Sequence, residues 1–497
     1  MNTLQTQPLT EVDELVSLED AAELLCVSKS TLYRMLEREE VKGSKVGRQW
    51  RFRTSDLQAY LDRGPQAVVL STVNPEEIDA FLAEEARVLD GLGIAVPPLP
   101  KHAEMDEMLT AAADRLFQLG IGARASDIHL VPERESILVK VRIDGVLSDQ
   151  LHIPRTLYPA LVSQLKQMSD VNPDERALPQ DGRLHVCRDE REYDLRVNYL
   201  PTVFGESVVM RILDQRSVLL GLDRLGMCAG DQERLRRWNI SPSGLVICTG
   251  PTGSGKTTTL YSCLREVAGE TKNTMTVEDP VECQLPHTRQ TGVNRRAGLT
   301  FVTALRAFLR HDPDVIMVGE IRDLETAEIV VQAALTGHLV FTTLCTNNAV
   351  QALQRLDDMG VEPFLIGGSL RGIIAQRLLR QACPHCKEPA TLQPEVLAHI
   401  RDLSRQGGYE VPQDAAFCKG RGCEHCRGFG YRGRTGLFEL LEFTPAVREA
   451  FLRKAGADEI TRVAVNDGMR TLAADGIRKA VEGLTTVDEV LRVTAAH

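Results

Sequence analysis

The chain has 497 residues, 43% apolar and 26% charged, which is enough for three or four domains with cores of their own and excludes disorder as the default. A net charge of −11 with a pI near 5.6 excludes a chain devoted to coating nucleic acid, so any DNA contact has to be local. No run of 18 apolar residues occurs, and "MNTLQTQPLTEVDE" lacks the basic and apolar regions of a signal peptide. These features predict a cytoplasmic protein without a membrane span, reaching a membrane only through partners.

Residues 17–63 read as a compact unit: a helix "SLEDAAELL", a turn and second helix "CVSKSTLYRML", a basic segment "KGSKVGRQWRFR" and a last helix "TSDLQAYL" capped by Thr54 or Ser55. Residues 64–100 read as a linker, with Ile78, Phe81, Leu82, Leu89 and Leu92 at helical spacing ahead of the proline-rich "IAVPPLP". From 101 to 214, helices mix with alternating strands such as "SILVKVRIDGVL" and "REYDLRVNYL", predicting an α+β domain. An α/β domain follows over 215–381, then two cysteine pairs within 382–430 and a helical region over 431–497.

The α/β domain opens on "GLVICTGPTGSGKTTTLYSCL", where the apolar run Leu245 to Cys248 supplies a strand and "TTTLYSCLREVA" a helix. Between them Gly250, Pro251, Thr252, Gly253, Ser254, Gly255, Lys256 and Thr257 satisfy the phosphate-loop pattern G-x-x-x-x-G-K-S/T, with Thr258 next in the helix. The glycines let backbone amides curl around phosphate oxygens, and the helix N-terminus adds a favourable dipole. Lys256 is expected to neutralise phosphate charge on ATP, and Thr257 to hold Mg2+. Downstream, "DVIMVGEIRD" is a buried strand, Val315 to Val318, leading to Gly319 and Glu320, with glycine where many phosphate-loop proteins carry aspartate. The cluster "TVEDPVE" places Glu278 after another apolar run, as a general base or water-orienting residue.

The blocks "ASDIHLVPE", "RIDGVL", "LPQDGRL", "VEDPVE", "GLTFVTALRAFLRHDPDVIMVGEIRDLETAE", "QAALTGHLVFTTL" and "GVEPFLIGGSLRGIIAQRLLR" resemble the ATPases that drive type II secretion and type IV pilus assembly, from about Met105 to the C-terminus. The resemblance implies a multi-domain α/β protein: a RecA-like phosphate-loop core preceded by an α+β, PAS-like domain and followed by a four-cysteine subdomain and helical tail. It implies a homo-hexamer, cytoplasmic and peripheral to the inner membrane, acting on an inner-membrane platform protein and a cytoplasmic docking protein. It carries the family's acidic box onto Glu278 and its Walker B glutamate onto Glu320. Arg183, Arg196 and Arg211 become the arginines that stabilise transferring phosphate, with Arg142 a weaker match. The family's histidine box has two histidines; here His338 remains and Cys345 takes the second place in "HLVFTTLCTN", a thiol that cannot carry imidazolium charge at neutral pH.

Twelve cysteines include "CPHC" and "CEHC", two C-x-x-C pairs with 36 residues between them, which points to metal rather than disulfides. Cys383, Cys386, Cys423 and Cys426 together make the four-sulfur set of a structural Zn2+ site.

The N-terminal unit resembles the winged helix-turn-helix of excisionase and MerR-type proteins, with "KVGRQWRFR" as its wing. Lys42, Lys45, Arg48, Arg51 and Arg53 suit phosphate contacts, and Thr31, Tyr33 and Arg34 fall nearest to base edges in such folds. Against this, residues 17–63 hold nine basic and eight acidic side chains. Leu18, Ala22, Leu25, Val27, Leu32, Met35 and Leu36 read as the unit's core. Two readings follow: a motor whose helix-turn-helix serves docking, or an ATP-dependent DNA-binding protein that regulates or moves DNA.

Overall fold

In the computed structural model, which describes residues 15–25, 29, 32–33, 36, 41–46, 49–57, 74–96, 103–188, 191–214 and 219–495, the chain divides into two units, Met1–Leu213 and Asp214–His497. The first unit starts with strand β1 (Leu15–Ser17) and the helix Leu18–Leu24, where the Ser17 hydroxyl accepts from the Asp20 amide at 3.2 Å and Asp20 accepts back from Ser17. Strands β2 (Ser44–Val46) and β3 (Gln49–Arg53) form the expected wing in a sheet of order β1-β3-β2. Ala22, Leu25 and Leu32 are buried in the expected core, joined by Ala21, Val41, Phe52 and Leu57. Most of the second helix, including Thr31, Arg34, Val27 and Met35, lies outside the described residues, as does Arg48.

The following domain is a six-stranded sheet of order β6-β5-β4-β9-β8-β7, made of β4 (Asp127–Pro132), β5 (Ile137–Ile143), β6 (Val146–Ile153), β7 (Gln180–Arg188), β8 (Arg191–Thr202) and β9 (Gly205–Asp214). Alternation puts Ile128, Leu130, Val139, Val141, Leu195, Val197, Val208 and Met210 in the core with residues of the helices Met105–Gly122 and Tyr158–Met168. The opposite face is mostly polar, with Asp127, Lys140, Arg142, Asp194, Arg196 and Arg211 beside Val131, Leu138 and Val209. The helix Pro75–Asp90 forms as the spacing predicts, capped by Asn74, but it is not a linker: Ile78, Phe81, Leu82 and Leu89 are buried in this same core, and Arg115 donates to the Leu82 carbonyl at 2.7 Å. Its apolar face is therefore part of the domain.

In the second unit, β10 (Gly244–Thr249), β11 (Thr274–Glu278), β13 (Val315–Val318) and β14 (Leu339–Leu344) are buried along their whole length, as parallel strands covered on both faces must be. With β12 (Thr288–Gly292), β15 (Leu370–Ala382) and β18 (Tyr431–Glu442) they make a seven-stranded sheet of order β12-β11-β13-β14-β10-β15-β18. All pairs are parallel except β15 with β18. The region expected to be helical from 431 onward thus begins as a sheet strand. Its Glu439, buried between sheet and helices, accepts from the first amides of two helices, Ala349 at 2.8 Å and Leu472 at 3.2 Å, so the tail is tied into this sheet. Between β15 and β18 the chain leaves the sheet to form the hairpin β16 (Lys387–Ala390) and β17 (Phe417–Gly420) and the helix Pro394–Gln406. Among the described residues no helix is long and apolar enough to cross a membrane.

Candidate functional site

The phosphate loop lies where β10 ends and the helix Lys256–Val267 begins, at the carboxyl edge of the parallel strands, where such sheets bind ligands. Gly250, Gly253 and Gly255 have φ of 152°, 78° and 90°, a backbone that L side chains avoid. A Cβ at Gly250 would also lie 2.3 Å from the Gln376 carbonyl oxygen. Gly255 caps the helix without a side chain, and Thr259 is the first amide of the helix to bond back, to Gly255 O at 3.1 Å. The amides of Lys256, Thr257 and Thr258 precede it at an N-terminus that has no internal acceptors to offer. Ser254 Oγ, buried, has no partner among the described residues. Lys256 Nζ rests on the loop's own carbonyls, Gly250 at 2.7 Å and Pro251 at 3.0 Å, which is a set of donors arranged for an anion.

Glu278 and Glu320 stand at the same edge, at the ends of β11 and β13, two neighbouring parallel strands paired through Val277 and Val318. The two strand ends are tied together by the Gly319 amide, which donates to Val277 O at 2.8 Å. The two acids differ in setting. Glu278 is 3% exposed and accepts from Tyr261 at 2.5 Å, Thr276 at 2.6 Å and Gln290 at 3.2 Å. Burial pushes its pKa up, opposed by these three donors. The Glu320 side chain is 28% exposed and pairs with Arg322. None of the three donors to Glu278 was singled out in the sequence, where hydroxyls and amides carry no motif of their own. Gln376, also missed, is buried beside the loop and accepts from Thr259 at 2.6 Å.

His338 does not join this site. It precedes β14, whose Leu339 pairs with Gly244 at the start of β10, so it sits at the amino edge of the sheet, roughly 20 Å of strand from the phosphate loop. Its Nδ1 faces the Ala333 carbonyl at 2.9 Å. Cys345, exposed, follows β14 at the phosphate-loop edge instead. The next residue, Thr346, bonds through its hydroxyl to Thr249 at 2.7 Å, and Thr343 donates to Gly319 O at 2.6 Å, coupling β14 to both functional strand ends.

Arg183, Arg196 and Arg211 belong to the first unit. Arg183 and Arg196 are direct cross-strand partners on β7 and β8, and Arg211 lies on the adjacent β9. Their neighbours in sequence, Leu184, Leu195, Val197 and Met210, are buried, so all three arginines emerge on the sheet's polar face.

The four cysteines converge. Their sulfurs lie within 4.8 Å of one another, with Cys383 to Cys423 at 3.9 Å and Cys386 to Cys426 and Cys423 to Cys426 at 3.7 Å. A tetrahedral sulfur shell with metal–sulfur bonds near 2.3 Å has sulfur separations of about 3.8 Å. The amides of Cys423 and Gly430 each donate to Cys426 Sγ at 3.2 Å. The thiols act on one another: burial opposes it, but these amides with the Cys423 and Cys386 thiols hold Cys426 down to about 7, while burial and the neighbouring thiols push Cys386 up to about 12. The donor set could hold a metal ion that prefers sulfur.

Residues 102–492 match the family described as type II/IV secretion system protein, and residues 15–65 match a helix-turn-helix domain. The chain is 48% identical over 400 residues to the type IV pilus assembly ATPase PilB of Thermus thermophilus, a match that spans 80% of this chain and 44% of that protein. It is 46% identical over 391 residues to type II secretion system protein E of Pseudomonas aeruginosa, covering 79% of this chain and 76% of that one. With type II secretion system protein E of Dickeya dadantii the identity is 40% over 509 residues, 99% of this chain and 98% of that one. In fold, the chain is similar to the ATPase DotB of Legionella pneumophila, with a TM-score of 0.58 and 21% identity over 81% of this chain and 98% of that one. The pilus retraction motor PilT with bound ADP is similar at a TM-score of 0.51 and 25% identity over 76% and 95%. With a phosphate loop and two acids at one sheet edge and a match over most of its length, the chain belongs to the type II/IV secretion system protein family of ATPases.

Proposed function

We propose that this chain is a cytoplasmic motor, a homo-hexamer peripheral to the inner membrane, that hydrolyses ATP to assemble a type II secretion pseudopilus or a type IV pilus. The observation that carries the reading is the cluster of first-turn helix amides and Lys256 on one sheet edge with Glu278 and Glu320. Gly250, Pro251, Thr252, Gly253, Ser254 and Gly255 cradle the phosphates of ATP, Lys256 leaves its loop carbonyls to neutralise their charge, and Thr257 and Thr258 extend the cradle into the helix. Thr257 would hold Mg2+, which when bound offsets charge on the phosphates. Glu278, a stronger base for being buried, orients the attacking water, and Glu320 polarises it from the more open side. Arg183, Arg196 and Arg211 supply positive charge to the transferring phosphoryl group. Cys383, Cys386, Cys423 and Cys426 would hold Zn2+, whose role with four thiolate ligands would be structural.

The partners in this reading are a membrane platform protein and a cytoplasmic docking protein, with the helix-turn-helix as the docking module. The pairing of family and near full-length similarity to a type II secretion protein favours this over a DNA-binding regulator. The test is a deletion strain complemented with wild type or Lys256→Ala, scored for surface pili and for secreted enzymes. Loss of one phenotype, rescued only by wild type, assigns the machine; rescue of both by Lys256→Ala defeats the reading.

A further inference from the structure

The central strand β4 carries Asp127, whose Cα is paired with Arg142 of β5 on one side and with Arg211 of β9 on the other. The carboxylate is buried, with its side chain 6% exposed, while the Arg211 side chain is 58% exposed. Arg211 Nε donates to Asp127 Oδ1 at 2.9 Å; Arg142 Nε stands 3.7 Å from Oδ2, which also accepts from Ser126 Oγ at 2.8 Å. The two arginines are then used differently. Arg142 turns Nη1 back to the Gly145 carbonyl at 3.1 Å, closing its own turn. Arg211 is held only along its Nε edge, and among the described residues its two terminal nitrogens have no partner.

We infer that Asp127 is a positioning residue for Arg211, anchoring the guanidinium by Nε so that both terminal nitrogens face outward as a planar fork for a phosphoryl oxygen pair. A guanidinium presents its five donors in a rigid plane, so fixing one edge fixes the direction of the rest. An unanchored arginine samples many rotamers and has to be ordered each time charge develops, whereas a pre-oriented donor is ready as the transition state forms. Arg142 completes the charge balance around the buried carboxylate, which lets Arg211 keep net positive charge for its target. The inference deepens the motor reading above and rests on it.

The test is steady-state ATP hydrolysis by the full-length chain with Lys256→Ala, Arg211→Ala, Asp127→Ala, Asp127→Asn and the double variant Asp127→Ala/Arg211→Ala. The expected result is a fall in kcat of about tenfold or more for Arg211→Ala and Asp127→Ala, with KM for ATP within about twofold. The double variant is expected to be no slower than the slower single one, and Asp127→Asn, whose amide oxygen still accepts from Nε, recovers part of the rate. Asp127→Asn also keeps the test valid should Asp127→Ala melt early. The inference is overturned if both Asp127 variants keep kcat while Arg211→Ala loses it, or if the two losses multiply in the double variant. Full activity in Arg211→Ala with none in Lys256→Ala overturns it together with the arginine's role but leaves the motor standing; full activity in Lys256→Ala removes the motor itself.

Discussion

The phosphate loop and the four-cysteine knot lie in the same unit, and both present more ligand atoms than the protein itself satisfies. They differ in what holds them in shape. The loop is fixed by the buried strand β10, by the helix it caps and by Gln376, so its form is complete with Lys256 resting on local carbonyls. The knot has a hydrophobic cluster made of its own cysteines, with little else at its centre. In the proposed reading, a bound group would be a substrate to the first region and a piece of the core to the second.

That contrast can be broken by three experiments. Lys256→Ala should lower kcat by at least about a hundredfold while leaving the melting temperature within a few degrees, because the lysine's hydrogen bonds go to the carbonyls of its own loop. A melting temperature that falls along with activity would show that the loop depends on its lysine for shape. Cys423→Ser should do the reverse: loss of one equivalent of zinc by elemental analysis and a fall in melting temperature of several degrees or more, since metal binding there is folding energy. Full metal content in that variant would sink the four-thiolate assignment. The smallest effect is expected at Tyr261→Phe. Removing one donor leaves burial less opposed, so the pKa of Glu278 moves further up, and a base with a raised pKa loses function as pH falls through it. The acid limb of the kcat profile should shift to higher pH, with about a two- to fivefold loss of rate near pH 7. An unmoved limb would show that Glu278 is not the titrating base. For stability the sign is opposite: a carboxylate with a raised folded pKa favours the folded state at low pH, and that contribution is lost as pH rises through the folded value.

The motifs were legible because each is local. Gly250 to Thr257 builds a strand-to-helix turn whose geometry depends on residues adjacent in the chain, and Val315 to Val318 needs only an apolar run to mark a covered strand. The two cysteine pairs carry their spacing with them, although the 36 residues between them said nothing of the hairpin and helix in that interval. His338 shows the opposite case. Its place in a motif put it with the site, yet a strand has two ends, and β14 carries Cys345 rather than His338 to the phosphate-loop edge. The period of Pro75–Asp90 gives the helix but not its place in the α+β core, because periodicity reports an apolar face without reporting what covers it.

By itself the amino-acid sequence determined the local chemistry of this protein: the phosphate loop, the acids that end apolar strands and the paired thiols, all set by neighbours in the chain. Tertiary structure alone decided which of these meet. It brought Tyr261, Thr276 and Gln290 around Glu278 and set Asp127 between two arginines from separate strands. Such encounters depend on strand order and register, which are settled by the burial of whole faces and leave no mark at the residues that come together.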